Sequence, residues 1–239
     1  MAPGSAGETA EVAADLAPGV LFDVDGTLLD TNYLHVLAWW QACRDTGHPE
    51  VGMWTLHRAI GIGSEELVQR VLGREDQETV DAHARRYEEL RDQVTAFPRA
   101  AELLAACAER GLRVVLATSG KPADLDWMVP AIGAPEGVLA GATTSADVDA
   151  AKPRPDLLQV AVRDHGLDPE RTVVVGDTVW DVEAAERAGL PAIAVLCGGI
   201  SRAELVEAGA VEVHDDPAAL LDALDRSRLG APGSDPAGG

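Results

Sequence analysis

Six short apolar runs in this chain, Val20–Val24, Arg113–Thr118, Val138–Ala142, Thr172–Gly176, Ala192–Leu196 and Val211–Val213, are mostly continuous rather than alternating. A strand wetted on one face alternates apolar and polar residues. An unbroken apolar run predicts a strand covered on both faces, which is the condition of a parallel sheet. Helical patterns separate the runs. Ala100–Arg110, Pro155–His165 and Val182–Ala188 stop at Gly111, Gly166 and Gly189, each suited to the left-handed residue that closes a helix. Strands and helices in alternation predict an α/β protein: a Rossmann-like parallel sheet with helices on both faces.

One stretch breaks the alternation. Between Thr31 and Thr95 there is no strand pattern, only helical segments: Asn32–Thr46, Met53–Ile60, Ser64–Leu72 and Glu75–Val94. In the last of these, Val80, Ala84, Tyr87, Leu90 and Val94 recur at three- and four-residue intervals and predict one apolar stripe. Four helices are too many for a single crossover, so residues 31–95 are expected to form an inserted all-helical cap, with the core made of 18–30 and 96–227. Residues 1–17 and 228–239 lack periodicity and are expected to be disordered tails.

Composition narrows the partners. A net charge of −21 repels phosphate backbones and anionic lipid, which argues against nucleic acid and membrane surfaces. No apolar run is long enough to span a bilayer, and the N-terminal stretch has neither the basic nor the apolar region of a signal peptide. Cys43, Cys107 and Cys197 are odd in number and widely spaced, which reads as reduced thiols in a cytoplasmic protein. A monomer is expected.

Four segments carry chemistry. The first run ends in Asp23-Val24-Asp25-Gly26-Thr27, which would put two carboxylates past the carboxyl end of a strand, where open α/β sheets bind ligands. Two adjacent carboxylates repel unless a cation lies between them. The fourth run ends in Gly176-Asp177 and is followed by Asp181 near a helix start, where an N-cap is the competing reading. Oxygens from Asp23, Asp25 and Asp177 would make a hard site suited to Mg²⁺. Thr118, Ser119 and Gly120 offer hydroxyl and backbone donors for an anion, although such residues are also ordinary in turns. Lys152 is one of only two lysines and is braced by Pro153 and Pro155.

These segments, DVDGTL at 23–28, ATS at 117–119, AKPRPD at 151–156 and GDTVWD at 176–181, together resemble the haloacid dehalogenase superfamily over about Val20 to Asp225. The nearest likeness is to its phosphoglycolate phosphatase and β-phosphoglucomutase branch, and the helical insert looks like that superfamily's small cap. The resemblance implies a Mg²⁺-dependent phosphatase acting on a small phosphorylated metabolite. Asp23 would be the nucleophile that forms an aspartyl-phosphate, and Asp25 the acid and base. Lys152, Thr118 and Ser119 would neutralise the phosphate, and Asp177 would bind the metal with Asp23 and the backbone carbonyl of Asp25. Asp181 would hold a metal-bound water or orient Lys152.

The cap is expected to close over the site and select the substrate, with His35, Trp39, His57, Arg58, Gly61 and Gly63 as candidates for its inner face. For His35 and Trp39, packing inside the cap competes. Arg58 is favoured because a buried arginine needs an anionic partner. Within the superfamily, a dehalogenase is disfavoured by Asp25, and a phosphonate-cleaving enzyme by the absence of any lysine in residues 31–95. A sugar-phosphate mutase remains the alternative. A catalytically idle binding protein of the same fold is disfavoured by the retention of Asp23, Asp25 and Lys152.

Overall fold

The computed structural model describes residues 16–148 and 152–230. Six parallel strands form one sheet in the order β3-β2-β1-β4-β5-β6. They are β1 (Ala17–Phe22), β2 (Arg113–Ala117), β3 (Leu139–Thr143), β4 (Leu167–Gly176), β5 (Ala192–Val195) and β6 (Glu212–His214). The reason the apolar runs are unbroken is visible in the packing. Val20 and Phe22 of β1 face one apolar cluster with Leu103, Leu104, Met128 and Leu220, while Leu21 faces another with Leu157, Leu158, Val182 and Leu205. The first cluster is completed by helices α5 (Ala100–Glu109), α6 (Leu125–Ile132) and α10 (Pro217–Asp222). The second is completed by α7 (Asp156–Asp164), α8 (Val179–Ala188) and α9 (Arg202–Glu207). The expected Rossmann-like architecture, with helices on both faces, is what the chain adopts.

Residues 32–88 supply four further helices, α1 (Asn32–Asp45), α2 (Met53–His57), α3 (Ser64–Leu72) and α4 (Gln77–Glu88). They enclose an apolar cluster of their own, built on Val36, Trp39, Cys43, Leu56, Ile60, Leu67 and Val68. The expected stripe on the last helix holds only in part: Tyr87 is buried, and Val80 and Val94 pack against apolar clusters. The helix stops at Glu88, a 3₁₀ turn follows at Arg91–Gln93, and Ala84 is exposed. The buried face is Thr79, Ala82, His83 and Tyr87. The partner decides this: His83 stacks on Trp39 at 3.8 Å, Tyr87 stacks on His35 at 3.8 Å, and the hydroxyls of Thr79 and Thr46 are 2.8 Å apart. Helix α4 thus meets α1 through aromatic and polar side chains, which an apolar periodicity does not register.

Two boundaries differ from expectation. Strand β1 starts at Ala17 and ends at Phe22, so Asp25 lies in the turn beyond the strand rather than two residues along it. That turn is closed by Val24, whose carbonyl accepts from the backbone N–H groups of Thr27, Leu28 and Leu29, with Gly26 at φ +77°. At the other end, Leu229, assigned from the sequence to a tail, is fully buried against the sheet's first cluster. The rest of the expected tails, residues 1–15 and 231–239, and Ala151 of the AKPRPD segment lie outside the described residues.

Candidate active site

The strand order reverses at β1. The chain runs outward from β1 through β2 to β3, then returns to β4 on the other side of β1. A reversal of this kind opens a crevice at the carboxyl ends of the strands. Asp23 follows β1 and Asp177 follows β4, one on each side of the reversal. The backbone N–H of Asp23 still donates to the Val175 carbonyl at 2.9 Å, so the two strand ends are clamped together where the carboxylates emerge.

Lys152 sits at the centre of the acidic group and is almost entirely buried. Its Nζ is 2.6 Å from Asp23 Oδ1 and 2.7 Å from Asp181 Oδ1, and it donates to the Ala117 carbonyl at 3.2 Å. Asp177 is held from two sides. Thr27 Oγ1 donates to its Oδ1 at 3.0 Å, and Asn32 Nδ2 donates to its Oδ2 at 2.7 Å. Asp181 lies one turn further along than an N-cap. It is the third residue of α8 rather than its cap. Its Oδ2 accepts from the Thr178 backbone and hydroxyl, while its Oδ1 faces Lys152.

The carboxylates of Asp23, Asp177 and Asp181 can bring ligand oxygens within 4.8 Å of one another, and all three are buried. Three negative groups share one buried ammonium, and the electrostatics show the excess. Burial, reinforced by Asp181 and Asp25 and opposed by Lys152, pushes the Asp23 carboxyl up to about 7. Burial with Asp181 and Asp23 pushes Asp177 well above the usual carboxylate range, despite the bonds from Asn32 and Thr27. Lys152 moves the opposite way from a lone buried lysine. Burial alone would lower it, and Asp181 and Asp23 raise it beyond its ordinary value. An oxygen-only cluster with unbalanced negative charge fits a hard divalent cation such as Mg²⁺.

Asp25 is separate from that cluster. Its Oδ1 accepts from Thr31 Oγ1 at 2.7 Å and lies 3.3 Å from His35 Nε2. Burial would raise its proton affinity, but the His35 hydrogen bond and charge, with Thr31, hold the carboxyl below its ordinary value. His35 Nδ1 in turn lies 3.2 Å from Nε2 of His83, whose basicity burial and the neighbouring His35 depress well below normal. A chain of polar contacts therefore leads from Asp25 into the helical insert.

The remaining expected residues divide. The Thr118 hydroxyl is buried at the end of β2, next to the Ala117 carbonyl that Lys152 contacts, and accepts from the Gly120 backbone at 3.0 Å, which leaves its proton free to be donated. Ser119 Oγ instead donates to the Gly61 carbonyl of the insert at 3.3 Å. Gly61, at φ +102°, rests on the β4–α8 turn so closely that a Cβ there would lie 2.8 Å from Thr178 Oγ1. Gly63 precedes α3 as its N-cap. Arg58 is not turned inward: it is about two-fifths exposed and pairs with Glu204 of α9 at 2.5 Å. His57 Nε2 contacts the Gly198 carbonyl at 3.0 Å, and Trp39 packs within the insert. Sequence reasoning missed Thr27, Thr31, Asn32 and His83. The first three were signalled by an unusual density of small polar residues after Asp25; His83 carried no signal, because its partners come from another helix.

Residues 18–189 match the family profile described as haloacid dehalogenase-like hydrolase. The chain is 31% identical over 194 residues to a phosphoglycolate phosphatase of Yersinia pseudotuberculosis, covering 75% of this chain and 81% of the relative. It is 30% identical over 220 residues to an N-acetylmuramic acid 6-phosphate phosphatase of Pseudomonas aeruginosa, covering 87% and 95%. A solved structure of a hydrolase from Pseudomonas syringae superposes with a TM-score of 0.81 at 33% identity, covering 87% of this chain and 98% of that one.

Proposed function

The chain belongs to the haloacid dehalogenase-like hydrolases, and on that premise we propose that it is a Mg²⁺-dependent phosphatase that cleaves a small-molecule phosphomonoester through an aspartyl-phosphate on Asp23. The observation that carries this reading is the placement of Asp23: its oxygen is 2.6 Å from a buried Lys152, at the strand reversal, with a second carboxylate, Asp25, held apart from it by His35 and Thr31. Two carboxylates in one crevice with different partners can take different roles.

In the first half of the reaction a carboxylate oxygen of Asp23 attacks phosphorus and the bond to the alcohol oxygen breaks, with Asp25 supplying a proton to that oxygen. In the second half water attacks the phosphorus, Asp25 takes its proton, and Asp23 is released. The contacts of Asp25 with His35 and Thr31 favour the carboxylate form, which the second half needs, and the proton it takes from water there is the one it supplies to the alcohol oxygen in the next turnover. Lys152 and the Thr118 hydroxyl face the phosphoryl oxygens, where fixed positive charge and donors lower the barrier most. Asp181 keeps Lys152 in place. Asp23, Asp177 and the backbone carbonyl of Asp25 would hold Mg²⁺, which supplies charge neutralisation between an anionic nucleophile and an anionic phosphate.

The helical insert would act as a cap over the crevice, seated through Gly61 against Thr178 and Ser119. A small phosphorylated metabolite in the cytoplasm is the partner this arrangement suits, with the protein acting as a monomer. No helix among the described residues is long and apolar enough to cross a membrane. The direct test is release of inorganic phosphate from p-nitrophenyl phosphate, acetyl phosphate and a panel of metabolite phosphates, with and without Mg²⁺. Failure to turn over any of them with Mg²⁺ present would overturn the reading, and an isomerised sugar phosphate as product would mark a mutase.

A further inference from the structure

We propose that Asn32 is a positioning residue for Asp177, tying the proposed metal-binding carboxylate to the first helix of the insert. The inference rests on the Mg²⁺ reading above. Asn32 is the first residue of α1 and is 2% exposed. Its Nδ2 donates to Asp177 Oδ2 at 2.7 Å and to the Gly198 carbonyl at 3.1 Å. One amide group thus joins three pieces of chain: the turn after β4, the loop after β5 and the start of the insert.

The amide has one usable orientation. Turning it over would set Oδ1 against a carboxylate and a carbonyl, both acceptors. As placed, Oδ1 is buried with no donor among the described residues, so it is the nitrogen that anchors the side chain. The backbone closes around the bond. A Cβ on Gly26 would lie 2.3 Å from Asn32 Nδ2 and 2.5 Å from Asp177 Oδ2, and a Cβ on Gly198 would lie 1.7 Å from the same Oδ2. Glycine at both positions lets the main chain press against the pair, which leaves the carboxylate little room to turn. The other oxygen of Asp177 is held by Thr27, a residue of the core, so Asn32 is the contact that comes from the insert. Groups that orient a metal-binding carboxylate in this way typically change metal affinity by about 10–100-fold when removed.

His57 provides the control. It also belongs to the insert and also contacts the Gly198 carbonyl, at 3.0 Å, but has no bond to Asp177. The experiment measures Mn²⁺ binding by electron paramagnetic resonance and Mg²⁺ binding by calorimetry on the full chain, for wild type, Asp177→Asn, Asn32→Leu, Asn32→Ala and His57→Ala, with circular dichroism to confirm folding. Leucine keeps the branching of asparagine without its hydrogen-bonding groups and is a good helix former; alanine, which is smaller, serves if the bulkier leucine does not fold. The expected result is binding by wild type, loss in Asp177→Asn, weakening by about 10–100-fold in both Asn32 variants, and wild-type affinity in His57→Ala. The Mg²⁺ concentration for half-maximal turnover should rise in parallel in the Asn32 variants. Wild-type affinity in folded Asn32 variants, beside loss in Asp177→Asn, would overturn this inference and leave the Mg²⁺ reading standing. Equal weakening in His57→Ala would also overturn it, because seating of the insert would then be the cause. If wild type binds neither ion, the Mg²⁺ reading falls, and the inference with it.

Discussion

Replacing Asp177 by asparagine should stabilise the protein when metal is stripped away, even as it removes metal binding. Ligand oxygens of Asp23, Asp177 and Asp181 lie within 4.8 Å of one another. At that separation and an effective dielectric constant near 20, each like-charged pair costs about 3 kcal/mol. Asp177→Asn ends two repulsions and also the attraction of Asp177 to Lys152, for a net relief of about one pair, ~3 kcal/mol. Against this stand the hydrogen bonds from Asn32 and Thr27, together about 1–2 kcal/mol. The chelated variant should therefore be roughly 1–2 kcal/mol more stable than wild type at pH 8, a rise of about 2–8 °C in melting temperature for a chain of this size. The pH dependence has a definite sign. The Asp23 carboxyl, raised to about 7 by burial and by its acidic neighbours, with Asp177 raised in the same direction, is protonated more readily in the fold than in the unfolded chain. Its cost is absent below about pH 4, grows by about 1.4 kcal/mol per unit, and is complete above about 7. Wild type in chelator should lose stability from pH 5 to 8, and Asp177→Asn should flatten that slope. Mg²⁺ should restore wild type at pH 8 and do little for the variant. Scanning calorimetry or near-ultraviolet circular dichroism with heating reads all of this. A variant melting below wild type at pH 8 in chelator, or equal stabilisation of both by Mg²⁺, would refute the charge argument.

Asp23→Asn should abolish turnover while the fold persists, since a carboxamide has nearly the same shape but is a poor nucleophile; Mg²⁺-dependent activity above a trace in the folded variant would sink the assignment. Asp25→Asn should accumulate phosphorylated protein with an activated substrate and fail at hydrolysis, which rapid quenching with labelled phosphate detects. Lys152→Met should lower turnover by about 10²–10³, the scale of one lost preorganised donor. Arg58→Ala should change kcat/KM by no more than about fivefold, because its partner is Glu204 in an exposed ion pair. Since the chain carries −21 and the cation at the proposed site, Lys152, is buried, kcat/KM at saturating Mg²⁺ should stay flat or rise slightly with ionic strength, and a steep fall would mean that exposed arginines recruit the substrate.

The sequence by itself determined the sheet, its parallel sense and the residues at its carboxyl edge. Those depend on local periodicity and on short motifs in which Asp23, Asp25, Lys152, Asp177 and Asp181 announce themselves. The inserted helices were legible for the same reason, because glycines close them and apolar residues recur at helical spacing. Which oxygen faces which partner was not legible. Asp25 could be paired with Asp23 in a linear reading, yet the turn closed by Val24 aims it at Thr31 and His35. Arg58 could be placed against a phosphate, yet α9 presents Glu204 to it. His83 and Asn32 have meaning only through residues 48 and 145 positions away, His35 and Asp177. A side chain's local pattern records whether it is covered, while hydrogen-bond direction and charge pairing depend on groups that distant segments bring within about 3 Å, and those only the folded chain decides.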